Sequence, residues 1–110
     1  MRRVDEAIRQ VLADAIAEEL KDPRVGFVTV TDVSTSPDLT SARVYVSVLG
    51  DAPAREDSLA GLRHAHGYLQ SRIARELALR RTPTLEFVYD ETTDRARRVD
   101  GILREGEARQ

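Results

Sequence analysis

Apolar residues recur every four positions at the start of the chain: Val4, Ile8, Leu12, Ile16 and Leu20, with Ala7, Val11 and Ala15 widening the stripe. This period predicts an amphipathic helix over residues 3–21. Asp5 and Glu6 in its first turn and Lys21 in its last complement the helix dipole. Asp22-Pro23 ends it, because proline disfavours helical geometry at the residue before it. The pattern then changes. Residues 25–34, with Phe27-Val28-Thr29-Val30-Thr31, are rich in β-formers and predict a strand. Residues 42–49 alternate, with Ala42, Val44, Val46 and Val48 on one face and Arg43, Tyr45 and Ser47 on the other, which predicts a half-buried strand. The polar segment 34–41 between them makes the pair an antiparallel hairpin.

Helical period resumes near Arg55 and extends to about Arg81, with Leu59, Leu62, Leu69, Ile73 and Leu77 as its stripe. Asp57 or Ser58 is the expected cap. Gly67 interrupts this stretch at a cost of roughly 1 kcal/mol against alanine, so a bend is expected at Ala65-His66-Gly67. Thr82-Pro83 closes the helix, and Leu85-Glu86-Phe87-Val88-Tyr89 is a third strand. Ala96, Val99 and Leu103 point to a short C-terminal helix with a fraying end. The expected architecture is α+β: helix, strand, strand, broken helix, strand, as one three-stranded sheet with helices on one face. Phe27, Phe87 and Tyr89 are assigned to the core, and Tyr45 and Tyr68 to the outside.

Composition narrows the possible chemistry. The 110 residues fit a single domain. Without cysteine there are no disulfides or thiolates, and two histidines argue against an all-protein zinc site. No apolar run reaches membrane-spanning length and no secretory h-region opens the chain, so a soluble chain in a reducing compartment, the cytoplasm, without membrane contact is expected. A monomer is the expected state. No cofactor or metal is implied. The net charge is −2, so a nucleic-acid binder of this composition has to segregate its positive charge onto one face. All of the seventeen basic residues except Lys21 are arginine, which fits both phosphate recognition and a coding bias.

No glycine-rich phosphate loop is present, and no serine–histidine pairing points to a triad. His64 and His66 lie two apart and leave a helix on different sides. Asp90 is the one carboxylate that a small hydrolase would use, and the plainer reading makes it a turn former, like Asp22, Pro23 and Asp38. The chain is therefore read as having no catalytic residues. By contrast, residues 63–81 hold five arginines and one acid. Arg63, Arg72, Arg75, Arg80 and Arg81, with His66, are the candidate RNA contacts, and Arg72 and Arg75 are expected on one side of the helix, away from Leu69 and Ile73. Arg2, Arg3, Arg9, Lys21, Arg24 and Arg43 are secondary candidates. Such a stripe neutralises phosphates and releases counterions. With few aromatics outside the core, backbone shape and phosphate contacts are favoured over stacked bases.

KH domains hold single-stranded nucleic acid at a GxxG loop between two helices. This chain has Ala65-His66-Gly67 at that place and no GxxG. With Lys21-Asp22-Pro23-Arg24, Phe27-Val28-Thr29-Val30-Thr31-Asp32-Val33, Ser36-Pro37-Asp38-Leu39 and Leu79-Arg80-Arg81-Thr82-Pro83-Thr84-Leu85-Glu86-Phe87 in order, it resembles the bacterial ribosome-binding factor A family over residues 2–103. The family often has arginine where Gln70 stands. The resemblance implies a type II KH-like domain over residues 1–103 with a tail at 104–110. It also implies a non-enzymatic factor that binds the immature small ribosomal subunit at its 16S rRNA and supports late maturation, especially in the cold. A maturation GTPase or an initiation factor is implied in its release. The alternative is a protein–protein adaptor that uses a strand edge or a helix face.

Overall fold

The computed structural model describes residues 2–18 and 20–92. Helix α1 spans Arg3–Glu18, β1 Val28–Thr35, β2 Ser41–Val48, α2 Ala52–His64, α3 His66–Glu76 and β3 Thr84–Tyr89. The strands form one sheet in the order β1-β2-β3. β1 and β2 are antiparallel, and β2 and β3 are parallel. α1 packs on β1 and α3, and α2 packs on β3. This is the expected α+β arrangement, a three-stranded sheet with helices on one face in KH-like topology. The predicted C-terminal helix around Ala96, Val99 and Leu103 and the tail 104–110 lie outside the described residues.

α1 buries Ile8, Val11, Leu12, Ala15 and Ile16, the predicted stripe. It ends at Glu18 and not at Lys21. The Leu20 N–H closes back on the Ala15 carbonyl at 3.1 Å, a six-residue bond of the kind that terminates helices. Lys21 is therefore an exposed residue beyond the helix and no part of its last turn.

β1 begins at Val28, three residues later than its composition indicates, and runs to Thr35. Within it the buried positions change parity. Val30 faces inward, and the next inward residues are Val33 and Thr35. A bulge explains the step: Val30 pairs with Val46 while Asp32 pairs with Tyr45, so Thr31 is an extra residue in β1. β2 alternates as predicted, with Ala42, Val44, Val46 and Val48 buried. At its end Gly50 takes φ +130°, a conformation that side chains disfavour.

Helix α2 starts earlier than its periodicity indicates. Asp51 caps it by accepting from the Ala54 N–H at 3.0 Å, and Pro53 lies in the first turn, where its missing N–H costs nothing. Asp57 and Ser58, the expected caps, lie inside the helix. Ser58 is buried, and its hydroxyl accepts from the Gly26 N–H at 3.2 Å. α3 ends at Glu76, short of Arg81, where Leu77 turns extended (φ −117°, ψ 129°). Leu62, Leu69 and Ile73 from this helix pair meet Ile8, Leu12, Val44, Val46 and Phe87 in one core. Each such fully buried side chain stabilises the fold by roughly 1.5–3 kcal/mol.

Candidate RNA-facing surface

The helical stretch breaks at Ala65, which has φ −88° and ψ 7° and lies between α2 and α3. Its N–H is shared between the Gly61 and Leu62 carbonyls, both at 3.1 Å. Gly67, to which the bend is assigned on sequence grounds, lies in α3 and has no positive φ. A Cβ built on Gly67 meets nothing within 4 Å. The break therefore belongs to Ala65, and Gly67 leaves the first turn of α3 bare on its solvent side. His66 is exposed, and its Nδ1 lies 2.9 Å from the Arg63 carbonyl, so the ring folds back on one of the last acceptors of α2.

Along α3, Leu69 and Ile73 face the core. Gly67, Ser71 and Arg75 follow one another four apart on the exposed side. Arg72 does not share this face. Its side chain is only 11% exposed and is paired with Glu76 at 3.1 Å. Beyond the helix, the segment 77–83 carries Arg80 and Arg81, both exposed. Arg75, Arg80 and Arg81 form no ion pair among the described residues. Gln70 turns inward and donates to the Pro83 carbonyl at 2.9 Å, which ties this segment to α3.

The remaining candidate cations are mostly engaged. Arg63 lies on the exposed side of α2 and donates to the Phe87 carbonyl at 3.3 Å. Arg9 pairs with Glu6, and this hydrogen bond holds the Glu6 carboxyl below its usual range. Arg24 pairs with Asp22 at 2.7 Å, and Asp22 also accepts from the Arg24 backbone N–H at 2.9 Å. Those bonds, led by the Arg24 side chain, hold the Asp22 carboxyl at about 2. Arg43 lies 3.9 Å from Glu86 on exposed sheet surface. Arg2 is bound to the carbonyl and hydroxyl of Thr35 and lies 3.7 Å from Asp5. Arg3 and Lys21 are exposed.

Several polar residues do structural work. The local turn bonds of Asp38 and Asp90 are the roles expected of them, while the contacts of Asp5 and of Asp90 with distant residues are not revealed by sequence context. Asp5 is buried and accepts from the Thr35 hydroxyl at 2.6 Å and the Thr35 N–H at 3.2 Å, joining α1 to the end of β1. Asp38 accepts from Ser36 and Thr40 in the hairpin loop, and these bonds hold its carboxyl at about 2. Asp90 accepts from the bulge hydroxyl of Thr31 at 2.6 Å and from the Thr92 N–H at 2.9 Å. The Thr31 bond is the main reason its carboxyl lies below the usual range. A general acid requires the opposite shift, so Asp90 is a staple between β1 and the end of β3.

Phe27 is not in the core. It is 80% exposed, beside Leu49 at 67%, and the Leu49 N–H donates to the Phe27 carbonyl at 3.1 Å. The chain turns over Asp22–Val25 ahead of β1, the Val25 N–H closing on the Asp22 carbonyl at 3.0 Å, and Val25 packs against the core there. Among the described residues no helix is long and apolar enough to cross a membrane.

This geometry has known counterparts. A crystal structure of ribosome-binding factor A from Thermus thermophilus superposes with a TM-score of 0.70 at 32% identity, covering 78% of this chain and 91% of that one. A solution structure of a Thermotoga maritima protein, provisionally assigned as a ribosome-binding factor A, gives 0.71 at 34% identity, covering 79% and 83%. A homology model of the Thermus thermophilus factor, fitted into a cryo-electron-microscopy map of its 30S complex, gives 0.66 at 32%, covering 78% and 90%. The family model of ribosome-binding factor A matches residues 1–103. The chain belongs to the ribosome-binding factor A family.

Proposed function

We propose that this chain is a non-enzymatic assembly factor that binds the immature small ribosomal subunit through 16S rRNA and assists its late maturation. Family membership and the 30S complex of the Thermus relative support the subunit as partner. The observation that carries the RNA reading is the outer side of α3 and the segment after it. There Arg75, Arg80 and Arg81 stand exposed without acidic partners among the described residues, beside the bare backbone at Gly67. Guanidinium groups in that state are available to phosphates. Arg63, Arg72, Arg2, Arg9, Arg24 and Arg43 have to exchange an existing contact to reach RNA, and they rank behind these three. A domain ending near residue 103, action as a monomer in the cytoplasm, a role in the cold, and release by a maturation GTPase or an initiation factor complete the proposal.

Cosedimentation with purified small subunits and with deproteinised 16S rRNA tests it. Binding to both supports the reading, and binding to neither refutes it. The exposed Phe27–Leu49 pair favours a second reading, a protein adaptor, because large apolar side chains grouped at a surface mark protein contacts. Binding to subunits but not to rRNA, abolished by Phe27→Ser, is the outcome that selects this alternative.

A further inference from the structure

We propose that His66 is the residue by which this chain tells RNA from DNA, its outward ring nitrogen accepting a hydrogen bond from a ribose 2′-hydroxyl. The inference rests on the RNA-binding reading above and adds to it a chemical group that is recognised.

The argument starts from the inner nitrogen. His66 Nδ1 lies 2.9 Å from the Arg63 carbonyl oxygen. A carbonyl only accepts, so Nδ1 carries the proton in this contact. In the neutral ring that leaves Nε2 as an acceptor, and one bond therefore fixes the tautomer. The residue is exposed, and Nε2 has no partner among the described residues. An acceptor with a fixed lone pair has to meet a donor. Phosphate oxygens only accept, so the neutral imidazole does not serve as one more phosphate contact. Along a sugar–phosphate backbone the donor is the 2′-hydroxyl, which RNA has and DNA lacks. The adjacent position is Gly67, where a Cβ would have nothing within 4 Å. A nucleic-acid backbone can come close to the helix there without meeting a side chain. The exposed Arg75 two turns further along the same side supplies a phosphate contact.

The test compares a short mixed-sequence single-stranded RNA with its all-2′-deoxy counterpart, by fluorescence anisotropy at pH 8 and one fixed salt concentration. The chain is expected to bind the RNA more tightly, by up to about tenfold, the range of one hydrogen bond. His66→Asn is the informative variant. Its shorter amide retains a donor for the Arg63 carbonyl and places nothing where Nε2 stood. It should keep the thermal stability and the DNA affinity of the parent and lose the preference for RNA. His66→Gln, which carries an acceptor further out, should recover part of it. Equal binding of RNA and DNA by the parent, or an undiminished preference in His66→Asn, overturns the assignment. A preference that follows base identity and ignores the 2′ position also overturns it and points to a base amine as the donor. Absence of binding to both strands, to 16S rRNA and to subunits refutes the RNA reading itself.

Discussion

A methyl group placed on Gly61 would stand 2.5 Å from Cγ2 of Val25, and 3.5 Å from both Cβ of Arg24 and Cγ of Asp22. The Asp22–Val25 turn therefore lies directly on α2, held by the Gly26 N–H on the Ser58 hydroxyl. Gly67, six residues on, has open space at the same position. The two glycines of one helical stretch should respond oppositely to alanine. Gly61→Ala gains helix propensity of about 1 kcal/mol but overpacks the turn, and should destabilise by a net ~1–2 kcal/mol. Gly67→Ala should stabilise by up to ~1 kcal/mol and weaken RNA binding. Urea midpoints of the two variants check the signs. A stabilised Gly67→Ala with unchanged subunit affinity would remove the functional reason for that glycine.

Removing the buried Asp5 carboxylate should leave the Thr35 hydroxyl and N–H, and the Arg2 guanidinium, without their shared acceptor. Asp5→Ala is expected to cost ~1–3 kcal/mol, the range for a buried polar group left unsatisfied. Amide exchange at Thr35 should accelerate in the same variant. An unchanged unfolding midpoint would show that α1 is held to β1 by its apolar stripe alone.

Asp22 and Asp38 should titrate near pH 2 in the folded chain, against about 4 for an ordinary aspartate. As pH falls, the unfolded chain takes up these protons first. The stabilisation from both carboxylates is therefore complete above about pH 4 and disappears as the pH drops towards 2. Carboxyl carbon shifts followed by NMR give the midpoints. In Arg24→Ala the Asp22 midpoint should rise while that of Asp38 stays low, because its partners are Ser36 and Thr40. Parallel movement of both would contradict these local causes.

Arginines already paired with acids should matter less for RNA than unpaired ones. Replacing Arg75, Arg80 and Arg81 together by glutamine should flatten the plot of log affinity against log salt by about 2, at ~0.7 per phosphate on single strands. Replacing Arg9 and Arg24 should leave the slope nearly unchanged, since Glu6 and Asp22 occupy them. Equal losses from the two sets would mean that those ion pairs open on binding.

The periodicity of the chain specifies most of the scaffold, because burial of Ile8, Leu12, Leu62, Leu69 and Ile73 follows directly from their spacing. The β1 bulge was also legible in principle. Val28 and Val30 lie on even positions and Val33 and Thr35 on odd ones, and only an inserted residue puts the buried members of both pairs on one face. Other features depend on partners distant in sequence. Phe27 has the composition of a core residue, and its exposure is decided by where the preceding turn docks on α2. The extent of the free positive charge was likewise hidden. Arg72 and Arg75 differ by three positions, yet Glu76 engages one and leaves the other open. Gln70 stands where the family often carries arginine, and here its amide serves the Pro83 carbonyl.

The junction at Ala65 is one residue long, and its N–H is held by carbonyls of the helix before it. A joint that short works as a phase setting. Each residue of an α-helix advances the chain by about 100°. One residue added or removed there would rotate α3 by that amount, swinging Leu69 and Ile73 out of the core and carrying the line of Gly67, Ser71 and Arg75 off the face it now presents. Substitutions at Ala65 can be accommodated by local adjustment, but a change in length cannot. Single-residue insertions on either side of Ala65 should therefore damage folding and binding together, whereas a residue added to the loop 36–40 leaves the phase of α3 untouched.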